Sequence, residues 1–166
     1  MRQSDADDFR AYVAVRMDRW RRTAYLLCQD WHASDDLVSI LVAKLYQHWG
    51  RVAVADNRDA YAQRMLTRVW LDERRRPWAR EQPQERLPET GYDAVDGVTD
   101  RDRLGRLLAG LGRRQRAVVV LRFYLDYSVE ETAELLGIST GTVKSQSARA
   151  LQAVRALAAA GTEDGR

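Results

Sequence analysis

Ser128-Val129-Glu130-Glu131-Thr132-Ala133-Glu134-Leu135-Leu136-Gly137-Ile138-Ser139-Thr140-Gly141-Thr142-Val143-Lys144-Ser145 reads as a helix, a tight turn and a second helix. Ser128 suits an N-cap, because its hydroxyl can accept from an unpaired N–H of the first turn. Glu130 and Glu131 follow where the helix dipole favours negative charge. Ala133 is small where two helices must cross closely. Gly137 supplies the position that can take positive φ and stop the first helix. Ile138 and Val143 are the apolar pegs that seat the second helix on the first. The second helix shows Thr140, Thr142, Lys144, Ser145, Gln146, Ser147 and Arg149 to its surroundings, with no acid among them. Short hydroxyls, an amide and cations are what a helix needs in a major groove. The pattern predicts a helix-turn-helix. A helical hairpin in an ordinary bundle shares the outline but has no need of so acid-free a polar face.

The surrounding chain has 166 residues, 45% hydrophobic and 31% charged, with a formal net charge of +3. That suffices for one ordinary domain or two small ones, with local basic surfaces balanced by acid elsewhere. The single Cys28 excludes an internal disulfide and a cysteine-rich zinc site, and its place in an apolar helical stripe predicts a buried, inert thiol. No apolar stretch approaches the length of a membrane span, and the first residues carry no apolar signal core, so a soluble, cytoplasmic protein is expected.

The three prolines, Pro77, Pro83 and Pro88, lie in a polar, aperiodic stretch that reads as a linker. The expected organisation is an N-terminal domain over 1–76, a linker over 77–101, a C-terminal domain over 102–160 and a disordered tail over 161–166. No alternating β pattern appears, and the expected fold is all-α: two small helical domains joined by a flexible linker.

In the first domain, Phe9, Val13, Met17, Trp20, Ala24 and Leu27 recur at helical spacing. Residues 30–33 read as a turn. Ser34 is the expected cap of a second helix with Leu37, Leu41, Leu45 and Trp49 on one side, ended by Gly50. Residues 51–58 read as a polar loop. A third helix from about Asp59 carries Tyr61, Met65, Leu66, Val69 and Trp70 inward and stops before Pro77. In the second domain, Leu104, Leu107, Leu108 and Leu111 give a short helix broken by Gly112. Arg114 to Leu125 gives another, the helix-turn-helix follows, and the last helix continues through Leu151, Val154 and Leu157.

Across residues 8–160 this combination resembles the extracytoplasmic-function sigma factors, in particular the actinobacterial group often called the SigE family. In the first domain the likeness rests on Arg22-Thr23-Ala24-Tyr25-Leu26-Leu27, on Asp30 to Val38, on Leu45-Tyr46-Gln47-His48-Trp49, on Ala60 to Leu66 and on Leu71-Asp72-Glu73-Arg74-Arg75-Arg76. In the second it rests on Arg114 to Tyr124 and on Gly141-Thr142-Val143-Lys144-Ser145 followed by Arg149-Ala150. The resemblance implies that the first domain acts as sigma region 2, docking on the polymerase clamp helices and capturing the melted −10 element. It implies that the second acts as region 4, gripping the polymerase flap and reading the −35 element. Core RNA polymerase and promoter DNA are the implied partners, and an anti-sigma factor is a further one.

The resemblance assigns the −35 duplex to Thr142, Lys144, Ser145, Ala148 and Arg149; Thr140 lies on the same polar face, and Arg122, just before the motif, is expected to add a phosphate contact. Lys144 and Arg149 can hold a phosphate or a guanine edge, and Ala148 can touch a thymine methyl. Melting and capture of the −10 strand fall by position to Arg51, Asn57 and Arg58, with Arg74, Arg75 and Arg76 as phosphate contacts. Trp78 is a candidate stacking platform, whereas Trp70 at helical spacing is expected in the core. Docking on core polymerase falls to Asp35, Asp36, Leu37, Leu41, Lys44 and Leu45. Ser39 and Ile40, where relatives carry Gln and then Glu or Asp, depart from the family pattern, as does Arg68, where relatives often carry Asn. They bear on polymerase docking and promoter melting. His32 and His48 form no metal constellation, and no nucleophile–base set is present, so no catalytic site and no cofactor are expected. Two other readings share part of the pattern: a helix-turn-helix regulator that works without polymerase, and a degenerate sigma paralogue that acts as a protein-binding adaptor.

Overall fold

The computed structural model describes residues 1–75 and 100–163. The chain divides into two compact units, Met1–Ala79 and Arg80–Arg166, and the described residues of both are helices and their connections.

The first unit holds α1 (Gln3–Cys28), α2 (Trp31–Gln47), α3 (Trp49–Ala53) and α4 (Arg58–Arg75). The inward stripe of α1 is Phe9, Tyr12, Trp20, Thr23, Ala24, Leu26 and Leu27. Tyr12 takes the place expected for Val13 and Met17, and Met17 stays exposed. The physical reason is the ring cluster that Tyr12 completes, 5.9 Å from Trp20 and 5.4 Å from Trp49, with Phe9 5.3 Å from Trp49. Such tilted and edge-on pairs add about 0.5–1.5 kcal/mol each to the burial itself.

Gln29 closes α1 in the left-handed region at φ 57°. The expected turn over 30–33 is instead the first turn of α2. Asp30, not Ser34, is its cap, accepting from the N–H groups of His32 at 2.9 Å and Ala33 at 3.2 Å. An aspartate caps as well as a serine, and starting here lets Trp31 stack on Tyr25 at 4.0 Å. Ser34 is buried inside the helix and donates to the Asp30 carbonyl at 2.8 Å, and half-buried Cys28 lies with its Sγ 3.3 Å from the Ser34 hydroxyl. Gly50 does not end α2. It lies within α3, which winds so that both Trp49 and Val52 point inward. The expected 51–58 loop thus shrinks to Val54–Asn57, and α4 starts one residue early, at Arg58. Leu37, Leu41, Leu45, Leu66, Val69 and Trp70 complete the core. Each such aliphatic side chain contributes about 1.5–3 kcal/mol by leaving water.

A polar cluster ties α1 to the start of α4. Asp59 accepts from Arg16 Nε at 2.5 Å and from the Tyr12 hydroxyl at 2.9 Å. The Arg16 hydrogen bond holds the Asp59 carboxyl below its ordinary 3.8, outweighing partial burial. Burial, followed by the bond to Asp59, pushes the Tyr12 phenol well above its ordinary value. A carboxyl depressed in the folded state stabilises above its unfolded pKa and loses that contribution as pH falls through the folded one. Thermal melts of wild type and D59N are therefore expected to differ by a constant gap above about pH 5, which narrows only as pH falls below the ordinary 3.8 and through the depressed folded value. A gap independent of pH would remove the ion pair from the account.

The second unit holds α5 (Asp100–Ala109), α6 (Arg113–Val119), a π-helical turn over Val120–Tyr124, α7 (Val129–Leu136) and α8 (Thr140–Glu163). Helix α5 begins at Asp100, inside the stretch read as linker. The helix expected over Arg114–Leu125 loses its regular winding at Val120, where the Leu125 N–H reaches the Val120 carbonyl at 2.9 Å. The wider turn lets Leu125 and Tyr127 both point inward, 8% and 5% exposed, and Asp126 takes φ 65° between them. Helix α8 runs to Glu163, so residues 161–163, expected in the tail, are helical. Arg76, Trp78, most of the expected linker and residues 164–166 lie outside the described residues.

Candidate nucleic-acid interface

The helix-turn-helix is built from local signals that agree. Ser128 accepts from the Glu131 N–H at 3.0 Å, and the Glu131 carboxylate accepts from the Ser128 N–H at 3.4 Å, a complete capping box. Gly137 stands at φ 66°, a conformation that costs an L-residue about 1 kcal/mol, and the Ile138 N–H returns to the Ala133 carbonyl at 3.0 Å. Ser139 then precedes α8 and accepts from the Thr142 N–H at 3.1 Å. Val143 is wholly buried against Val118 and Ala133, with Val129, Leu136 and Ile138 around them. This small core sets the angle at which α8 leaves the turn.

The N-terminal half of α8 faces outward. Thr140, Lys144, Ser145, Ala148 and Arg149 are exposed and Thr142 is half-buried. No acid occurs in α8 before Glu163, and neither Lys144 nor Arg149 joins an ion pair among the described residues. Thr142 shares a 2.8 Å hydroxyl contact with Ser139, and Ser145 donates to the Thr142 carbonyl at 3.1 Å, which leaves its oxygen to accept. Arg122 is half-buried in the π-helical turn that precedes the motif. Its Nη1 donates to the Tyr127 carbonyl at 2.6 Å, pinning the turn that Leu125 and Tyr127 require. One of its donors is thus engaged within its own loop.

In the first unit the candidates separate. Arg51 is exposed on α3. Asn57 accepts from the Ala60 N–H at 3.0 Å and so caps α4. Arg58 is held by the Ala53 carbonyl, at 3.1 Å from Nε and 2.8 Å from Nη2, and by Asp8 at 3.3 Å. Arg58, a candidate by position, thus has partners within the first unit. Arg74 lies over the Trp70 ring at 5.4 Å and Arg75 is exposed. Trp70 is buried, as its spacing predicts.

The residues assigned to polymerase docking fall on two sides of α2. Leu37, Leu41 and Leu45 are 4%, 0% and 0% exposed and belong to the core of the first unit. The outward side of α2 carries Asp35, Asp36, Ser39, Ala43 and Lys44, with Ile40 half-buried. Asp35 is paired with Arg21 at 2.6 Å, and that guanidinium lies 4.5 Å over the Trp31 ring. Ser39 donates to the Asp35 carbonyl at 2.9 Å. The helical spacing alone already separated these faces: leucines four apart belong to the core, and the residues between them are the ones to test. Among the described residues no group of His, Cys, Asp and Glu could hold a metal ion, and no helix is long and apolar enough to cross a membrane.

A tightly capped helix-turn-helix with an acid-free outer face, in a chain that also carries a separate helical unit, defines a DNA-reading protein of transcription. The model of sigma-70 region 4 matches residues 101–154, which include α6, α7 and much of α8. The chain is 38% identical to the RNA polymerase sigma-E factor of Streptomyces coelicolor over 149 residues, covering 89% of this chain and 84% of that one. It is 31% identical over 161 residues to the ECF RNA polymerase sigma factor ShbA of Streptomyces griseus, covering 89% and 80%. The sigma factor RpoE of Bartonella quintana, solved in complex with the anti-sigma factor NepR, shares the fold with TM-score 0.65 at 22% identity, over 90% of this chain and 96% of that one. The chain belongs to the extracytoplasmic-function RNA polymerase sigma factors, the subunits that direct the polymerase to promoters for transcription initiation.

Proposed function

We propose that the two units divide promoter recognition between them. The second unit lays α8 in the major groove of the −35 duplex, with Lys144 and Arg149 on phosphate or guanine and Thr140, Thr142, Ser145 and Ala148 along the base edges. The observation that carries this is the exposed, acid-free start of α8, fixed by the buried Val143. The first unit docks on the polymerase clamp helices through the outer side of α2, chiefly Asp36, Ser39 and Lys44. Its Val54–Asn57 loop and Arg51 meet the −10 strand, with Arg74, Arg75 and Arg76 along the phosphates. The protein has no catalytic chemistry of its own and works in the cytoplasm. An anti-sigma factor that covers these faces is the regulatory partner that fits them.

The test is in vitro transcription with sigma-free core polymerase on upstream DNA from the native genome. Transcripts that need this protein, with shared −35 and −10 elements, are the expected result. Sequence-specific DNA binding without core, and no transcripts, would replace this reading by a free-standing regulator. Core binding without transcripts would leave the adaptor.

A further inference from the structure

Arg58 is the first residue of α4, yet its side chain turns back across the loop that precedes it. Nε and Nη2 both donate to the carbonyl of Ala53, the last residue of α3. That carbonyl has no partner within so short a helix, and a guanidinium on a helix C-terminus also suits the dipole. Nη1 reaches Asp8 on α1 at 3.3 Å, and the cation lies 5.5 Å from the centroid of the buried Trp49 ring. The next residue, Asp59, is tied to α1 through Arg16 and Tyr12. The loop is closed at its other end by the Asn57 cap. Between these clamps Val54 stands out, 81% exposed, beside the exposed Asp56. An exposed valine on a connection held at both ends is a presented group, and a loop ordered before binding loses less entropy on binding.

We infer that Arg58 is a positioning residue for promoter melting: it touches no DNA, and it holds the Val54–Asn57 loop in the shape that receives the −10 strand. The inference rests on the role proposed above for the first unit. A lysine at this position keeps the charge but not the paired donors, so it restores the shape only in part.

The experiment uses holoenzyme with wild type, R58A, R58K and D8N, and with V69A as a control for lost stability, since Val69 is a buried residue of the same core. Permanganate reactivity reports opening of duplex promoter. A set of pre-melted templates with each base in turn along the −10 non-template strand reports base preference. R58A is expected to lower opening about tenfold, the scale of one charge-assisted hydrogen bond, and to flatten preference at the positions that face the loop. R58K falls between R58A and wild type, and D8N keeps the preference profile because the Ala53 bonds remain. V69A is compared with R58A at matched melting temperature and is expected to lower yield while keeping the profile. The slope of log affinity against log salt is expected to be unchanged in R58A, whereas a direct phosphate contact would lower it by about one. A lowered slope, a wild-type profile in R58A, or equal flattening in V69A would each overturn the inference. Wild-type holoenzyme that opens no promoter would overturn the underlying role of the first unit, and this inference with it.

Discussion

Reversing both cations of the outer face, K144E with R149E, is expected to abolish transcription from promoters that depend on the −35 element, a loss of at least about a hundredfold. Each good base or phosphate contact is worth roughly 1–3 kcal/mol of discrimination or affinity, and about 2.7 kcal/mol is a hundredfold. Reversal also places two carboxylates against the phosphate backbone. Both side chains are exposed and outside the Val118–Ala133–Val143 core, so the variant should fold as wild type does. Affinity for core polymerase should be unchanged if docking lies chiefly in the first unit. The alanine versions should each reduce the salt slope of promoter binding by about one. Footprinting at several salt concentrations checks this. Wild-type protection of the −35 region by the double reversal would remove α8 as the reading helix.

V143D should act on the same function through the opposite cause. Val143 is 0% exposed and meets Val118 and Ala133 in a core of few residues. A carboxylate there has no partner, and burying it uncompensated costs several kcal/mol, comparable with the whole stability of a small domain. The helix-turn-helix is expected to unfold. The first unit has its own core in Leu41, Leu45, Leu66 and Val69 and should keep its dispersed amide spectrum. Two-dimensional NMR of the full chain separates the outcomes: loss of the second unit's dispersed signals alone supports independent cores. Retention of all signals would mean that α8 does not depend on this contact.

The two variants show why the second unit is so legible in the sequence. Ser128, Glu131 and Gly137 act within their own helix or the residue after it, so cap, capping box and stop can be read from spacing alone. The acid-free face of α8 is likewise a property of composition along one helix. The helical class of the first unit follows from apolar spacing in the same way. Its boundaries are less local. Asp30 and Ser34 are both good caps, and the choice between them depends on Trp31 finding Tyr25 across the α1–α2 turn. Gly50 looks like a stop, but the burial of Trp49 and Val52 holds α3 in a helical turn around it.

The sequence by itself determined the all-α class, the helix-turn-helix with its caps, and the exposed cations of its second helix, because these depend on hydrogen bonds and periodicities spanning a few residues. Only the tertiary structure decided what the candidate side chains meet within the fold. Leu37, Leu41 and Leu45 are enclosed by packing helices, Arg122 is drawn to the Tyr127 carbonyl, and Arg58 to the Ala53 carbonyl and Asp8. A long cationic side chain can reach solvent or a distant carbonyl equally well from the same backbone position. Which it does depends on the acceptor that folding brings within about 3 Å of its donors.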